Sequence, residues 1–317
     1  MNTLLSRIVH AHQALRPQVA VTPLSYSAAL SRLSGCEVYL KCEHLQHTGS
    51  FKFRGASNKL LQLDAQARAQ GVITGSTGNH GLAVARAAKI AGVKVTVYTP
   101  ANASQIKLDA IEALGAQVIK LNATPLEAEQ EAARQAIYLQ QTFISPYNDI
   151  DVIAGQGTIG MELNEQCNTL SAVFASVGGG GLIAGLGTAI KHFQPAAQIT
   201  GCWPANAATL YASLQAGRLI DIEETDTLSD GTAGGVEAGS ITFPLCQKVI
   251  DDKVLLTETE IKQAMHLLAQ HERWIVEGAA GVAMAGMLKQ APQYQGKAVA
   301  VVLCGRNIVL QKFLAAI

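Results

Sequence analysis

The sequence predicts an α/β protein whose mostly parallel sheets are flanked by helices and divided between two lobes. Short apolar strands alternate with helices over residues 72–144 and again over residues 152–304, which is how parallel sheets covered on both faces read. At 317 residues the chain is long enough for two core-forming units. No Pro/Ser-rich linker and no internal repeat interrupts it, so the lobes are expected to pack along one cleft.

Residues 4–15 have helical apolar spacing, and Pro17 stops them. Residues 38–42 form a short strand after the turn signal Ser34-Gly35. One helix is expected from the lysine stretch at 50–55 to near Gln70. The first alternating set then runs strand 72–74, helix 81–91, strand 93–98, helix 104–114, strand 117–121, helix 125–140 and strand 142–144. The second set opens with helix 152–167 and strand 172–177. A glycine run at 178–181 starts a helix to His192, followed by strand 198–202 and helix 205–215. Residues 229–240 read as a glycine-rich loop, and 254–256 as a strand. Thr257 opens a helix with Glu260 placed for a capping box. Helix 277–289 and strand 298–304 complete the set.

Composition narrows the function. The chain is 49% apolar and 15% charged, which is globular rather than disordered. With 24 basic and 24 acidic residues the formal charge is zero, so there is no electrostatic footprint for nucleic acid or an anionic membrane. No apolar run approaches a membrane span, and residues 1–7 lack the regions of a signal peptide. The six scattered cysteines, Cys36, Cys42, Cys167, Cys202, Cys246 and Cys304, contain no C-x-x-C pair. They read as reduced thiols of a cytoplasmic protein. The eight histidines show no metal-ligand spacing, and His44 and His47 read as loop residues.

The chemistry concentrates around Lys52. It lies between Phe51 and Phe53 in Ser50-Phe51-Lys52-Phe53-Arg54-Gly55. An ordinary lysine is a solvated charge, but two flanking rings point to a partly dry pocket. Burial disfavours the ammonium, and a neutral amine can attack a carbonyl.

Four glycine-bounded turns could serve such a lysine. Ser76-Thr77-Gly78-Asn79-His80-Gly81 follows a strand and opens a helix, offering hydroxyls, an amide and helix N–H groups to a carboxylate. A plain capped turn explains one of these residues but not the set. Gly178, Gly179, Gly180, Gly181 and Leu182 lie between a buried strand and a helix start, a backbone cup for phosphate. It has neither the lysine of an ATPase loop nor the context of a dinucleotide fingerprint. Cys304-Gly305-Arg306-Asn307 ends the last strand, where ligands of open α/β sheets bind. Its thiol either faces a ring nitrogen or simply packs. The stretch 229–237, with Gly231, is a loop able to close on a substrate or an ordinary surface turn. A dry lysine, a phosphate cup, a carboxylate cradle and a strand-end partner for a heteroaromatic nitrogen together suit pyridoxal phosphate.

These segments, in this order, resemble fold-type II pyridoxal-phosphate enzymes, specifically the serine/threonine dehydratase and serine racemase group. The resemblance spans essentially the whole chain. It implies a tryptophan synthase β-like fold, with a large domain from 1–70 and 147–317, a small domain at 71–146, and a homodimer. It implies that Lys52 holds the cofactor covalently and removes the substrate's α-proton. Phe51, Asn79, Gly178, Gly179, Gly180, Gly181, Leu182 and Cys304 would bind the cofactor. Ser76, Thr77, Asn79, His80 and Gly231 would bind the substrate. A neutral ring-nitrogen partner such as Cys304 would suit β-elimination, converting a β-hydroxy amino acid such as L-threonine or L-serine to a 2-oxo acid and ammonia.

Three departures refine the expectation. Racemases of the group carry a serine where this chain has Thr77. Thr77 keeps a hydroxyl opposite Lys52 but is bulkier, which favours dehydratase over racemase activity. The group's divalent-cation site places a carboxylate before a proline, whereas this chain has Trp203-Pro204 and no acid among Asn206-Ala207-Ala208-Thr209, so no metal is predicted there. The sequence ends at Ile317, soon after the last strand, so the regulatory domain of biosynthetic threonine deaminases is not expected. The Gly-Gly-Val-Glu at 234–237 resembles branches that dehydrate other 3-hydroxy amino acids such as hydroxyaspartate or phenylserine. Glu237 is either a substrate selector there or a solvated loop carboxylate.

Overall fold

The computed structural model describes residues 3–76 and 78–317. The chain opens with α1 (Thr3–Leu15), β1 (Leu24–Tyr26), α2 (Ala28–Ser34), β2 (Glu37–Lys41), α3 (Lys52–Leu61) and α4 (Ala65–Gln70). The first alternating set is β3 (Val72–Gly75), α5 (Asn79–Ala91), β4 (Val95–Pro100), α6 (Gln105–Glu112), β5 (Gln117–Leu121), α7 (Pro125–Tyr138) and β6 (Thr142–Phe143). The second is α8 (Ile150–Gln166), β7 (Ala172–Ser176), α9 (Gly181–Phe193), β8 (Gln198–Pro204), α10 (Thr209–Ala216), α11 (Thr242–Val249), β9 (Asp252–Leu256), α12 (Glu258–Glu272), α13 (Gly278–Gln290), β10 (Ala298–Val302) and α14 (Leu310–Ala316).

The strands form two sheets. One has four strands in the order β5-β4-β3-β6, all parallel. The other has six in the order β1-β2-β10-β7-β8-β9, parallel except for the β1–β2 edge pair. Every residue of β7 is buried, as expected for a central strand covered on both faces. α13 packs on β7, β8 and β10, while α8 joins α9 to α3. Among the described residues no helix is long and apolar enough to cross a membrane.

The structure corrects several boundaries. The helix of the lysine stretch stops at Leu61, and α4 is separate because Asp64 caps it, its side chain accepting from Ala67 N–H at 2.8 Å. β8 runs on through Pro204, so α10 begins at Thr209 rather than at residue 205. The structure adds β1, α2, α11 and α14, none longer than 8 residues and therefore too short to show a periodic pattern. The expected capping box of α12 is present, with Thr257 and Glu260 bonded reciprocally.

A buried ion cluster anchors α3. Arg54 Nη1 donates to Glu162 Oε1 at 2.6 Å, and its Nε and Nη2 donate to the two oxygens of Glu43 at 2.8 Å. Lys41 Nζ adds a 2.5 Å contact to Glu162. Two cations and two anions cancel, so the cluster is neutral as a unit. Against the raising effect of burial, Arg54 and Lys41 hold the Glu162 carboxyl low. The Arg54 bonds run from α3 to the turn after β2 and to α8, and so fix the helix whose first residue is Lys52.

Candidate active site

A cavity of about 420 Å³ opens at the carboxyl ends of β3, β7 and β10. The loop before α3 reaches it by backbone bonding to the end of β10. Phe51 N–H donates to Cys304 O at 3.0 Å, and Ser50 forms an antiparallel bridge with Gly305. This brings Lys52 and Cys304 to one site. Lys52 Nζ donates to Pro146 O at 2.7 Å and lies 5.3 Å from the Phe51 ring centroid. Burial pushes the amine down to about 8, although Glu129, Cys304 and Glu277 pull it up.

The turn after β7 forms the glycine cup. A Cβ on Gly179 would lie 2.4 Å from the Tyr147 ring, so only glycine lets the backbone pass that wall. Gly180 adopts φ 86°, the left-handed region that glycine enters freely. α9 starts at Gly181, which aims free N–H groups and the positive helix end into the cup. Leu182 also lines the cavity.

The turn after β3 supplies Ser76, Asn79 and His80, all lining the cavity. Ser76 Oγ accepts from Gly78 N–H at 3.2 Å, and α5 begins at Asn79. Thr77, expected to be catalytic and substrate-binding, lies outside the described residues. His80 Nε2 donates to Ile144 O at 2.9 Å, and its buried Nδ1 has no hydrogen-bond partner among the described residues. Burial, with Lys52 nearby, pushes His80 down to about 3, so the ring is neutral.

Asn79 is fixed in one orientation. Thr48 O accepts from Asn307 Nδ2 at 2.8 Å, and the same amide donates to Asn79 Oδ1 at 2.6 Å. Asn79 Nδ2 then meets Glu277 at 2.8 and 3.0 Å. Glu277 is buried, and burial pushes its carboxyl up while Asn79 opposes the shift. Cys304 Sγ accepts from Ser176 Oγ at 3.5 Å. Burial foremost, and then Glu277, pushes the Cys304 thiol up, so it stays protonated. Gly231 lines the cavity from an exposed loop, whereas Glu237 is not among the cavity-lining residues; its N–H donates to Tyr147 Oη at 3.0 Å and its carbonyl accepts from Ser240 N–H at 3.1 Å.

The sequence-predicted residues other than Thr77 therefore converge on one cavity. Sequence reasoning missed Tyr147, Ser176, Glu129 and the role of Glu277 in it. Only Glu277 carried a signal, as the single acid immediately before the uncharged run Gly-Ala-Ala-Gly.

The residues fit pyridoxal phosphate. The cup that a Cβ would fill suits the phosphate, the depressed Lys52 amine suits the aldehyde, and the neutral Cys304 thiol suits a pyridine nitrogen. Residues 15–305 match the family described as pyridoxal-phosphate dependent enzyme. The chain is 41% identical over 304 residues to an L-threonine ammonia-lyase of Thermotoga maritima, covering 96% of this chain and 75% of that one. It is 38% identical over 311 residues to a serine racemase of Dictyostelium discoideum, covering 96% and 95%. The processed threonine deaminase isoform 2 of Solanum lycopersicum superposes with a TM-score of 0.94 at 34% identity, covering 100% of this chain and 93% of that one. On fold, cavity and sequence alike, the chain belongs to the pyridoxal-phosphate dependent enzymes of fold type II.

Proposed function

We propose that this protein is a lyase that converts a β-hydroxy amino acid such as L-threonine or L-serine to a 2-oxo acid and ammonia. The observation that carries the reading is the meeting of two helix N-termini, those of α5 and α9, around one desolvated lysine. Bound pyridoxal phosphate supplies an aldehyde that condenses with amines and a ring that withdraws electrons from the α-carbon. Gly178, Gly179, Gly180 and Gly181 hold its phosphate, with Leu182 and Phe51 as apolar walls. Asn79 presents its Nδ2 as a donor, because Asn307 and Glu277 fix the amide. Cys304 offers the ring end a neutral neighbour.

Ser76 and the N–H groups at the start of α5 bind the substrate's α-carboxylate. His80, neutral and held by Ile144, lines that subsite, and Gly231 borders it from the loop. The Lys52 amine takes the α-proton, and the released electron pair forms the Cα=Cβ bond as the β-hydroxyl departs. Thr77 is assigned the opposite side of the substrate. The small domain is taken as 71–146, set into a large domain of 1–70 and 147–317; the four-stranded and six-stranded sheets support that division. We assign a homodimer and a cytoplasmic setting, the latter supported by cysteines that are all unpaired.

A keto-acid assay on the purified holoenzyme with L-threonine and L-serine tests the reading; no keto acid from either would sink it. Racemisation is a second reading, supported by the likeness to a serine racemase. Chiral analysis after incubation with L-serine separates them, since a pure lyase leaves no D-serine.

A further inference from the structure

The reading above assigns both anion sites: the glycine cup to the cofactor phosphate and the start of α5 to the substrate's α-carboxylate. The inference that follows rests on that assignment and concerns the side chain. The other charged residues lining the cavity are Lys52, Lys107, Glu129, Asp230 and Glu277. Lys107 lies 3.9 Å from Asp230, which also meets Lys312 at 3.5 Å. Glu277 is engaged by Asn79 and by Asn307 N–H. Lys52 is the reacting amine. The Glu129 side chain alone of this set has neither a hydrogen bond nor an ion pair within the described residues.

Its position is forced by packing. α7 lies on the end of β3 so closely that a Cβ on Gly75 would sit 2.5 Å from Glu129 Cα. Gly75 directly precedes Ser76, so the Glu129 side chain enters the cavity beside the substrate loop. Burial first, and then the Glu237 carboxylate, push Glu129 up to about 7, against the pull of Lys52. Tyr98, Pro100 and Leu126 complete this wall without adding a cation.

We propose that Glu129 is the specificity residue of this site: it accepts a donor at the substrate's β-position and excludes side chains that carry a second carboxylate. The substrates are then 3-hydroxy amino acids with neutral or cationic side chains. A side-chain carboxylate would be a third bound anion, set against an unpaired carboxylate in a partly dry wall whose described residues include no cation, Lys107 being held at Asp230.

L-Asparagine and L-aspartate test this, because they are nearly isosteric, differ in charge and lack a β-leaving group. Calorimetric titration of the holoenzyme should give asparagine at least about tenfold tighter binding than aspartate, and Glu129→Gln should bring the two within about threefold. Glu129→Ala should narrow the ratio likewise, and thermal unfolding of both variants checks that they fold. Equal or tighter binding of aspartate to the wild type would overturn the proposal, whatever the variants do. An unchanged ratio in a folded variant would overturn it too. Turnover reports in parallel: kcat/KM for 3-hydroxyaspartate should fall at least about tenfold below that for L-threonine. Failure of the underlying reading shows separately, as no keto acid from any 3-hydroxy amino acid.

Discussion

Asn79 Nδ2 donates to both carboxylate oxygens of Glu277, at 2.8 and 3.0 Å, while Asn79 Oδ1 accepts from Asn307 at 2.6 Å. The amide thus has one orientation, and its donor side is set by a buried carboxylate. Glu277→Ala removes that constraint. Losing a charge-assisted bond of this kind is worth about 1.5–3 kcal/mol, so pyridoxal phosphate affinity should fall at least about tenfold. Fluorescence titration of the apoprotein measures it, and an unchanged Kd would show that Asn79 is oriented without Glu277.

The Lys52 amine should set the pH dependence of cofactor attachment. Its ordinary value of 10.5 is brought down to about 8 in the fold. The neutral amine reacts with aldehydes, so uptake by the apoprotein should accelerate through about pH 8 and level off above it. Stopped-flow absorbance checks this; a midpoint above pH 10 would deny the shift. Between those two values the unfolded chain holds the extra proton, so Lys52's contribution to apoprotein stability rises with pH across the window. Lys52→Ala should abolish the visible absorbance of the attached cofactor.

Gly179→Ala places a methyl 2.4 Å from the Tyr147 ring. Overpacking of this kind costs about 1–3 kcal/mol, and here it also deforms the phosphate cup. A lower melting temperature and loss of cofactor on dialysis are expected. Retention of cofactor at the wild-type level would mean that Tyr147 yields freely.

Glu162→Gln breaks the ion cluster beneath α3. Glu162 serves both Arg54 and Lys41, and its neutralisation leaves one net positive charge in a buried site. Removing one partner of such a pair destabilises by about 3–5 kcal/mol. Urea unfolding measures the loss, and a change below about 1 kcal/mol would show that water relieves the cluster.

The turns of the site were legible because each is contiguous and carries its own chemistry. Lys52 has its rings beside it, and the glycine run sits between a strand and a helix. Alternation likewise revealed both parallel sheets. Glu129, Tyr147 and Ser176 were not legible, because each is an ordinary residue made functional by where its element packs. Glu129 owes its place to the contact of α7 with Gly75, which no local pattern records. The break between α3 and α4 was hidden because Asp64, its cap, reads equally well as a charge on the exposed face of a continuous helix.

The four-stranded sheet enters the chain as one uninterrupted stretch between α4 and α8. That stretch contains Ser76, Asn79, His80 and Glu129, while Lys52, the glycine cup and Cys304 lie outside it. Most groups proposed to read the amino acid are therefore inherited together, and of the groups proposed to secure the cofactor only Asn79 travels with them. Descent, or a laboratory recombining relatives, can exchange this cassette to retune diet while Lys52, the glycine cup and Cys304 stay untouched.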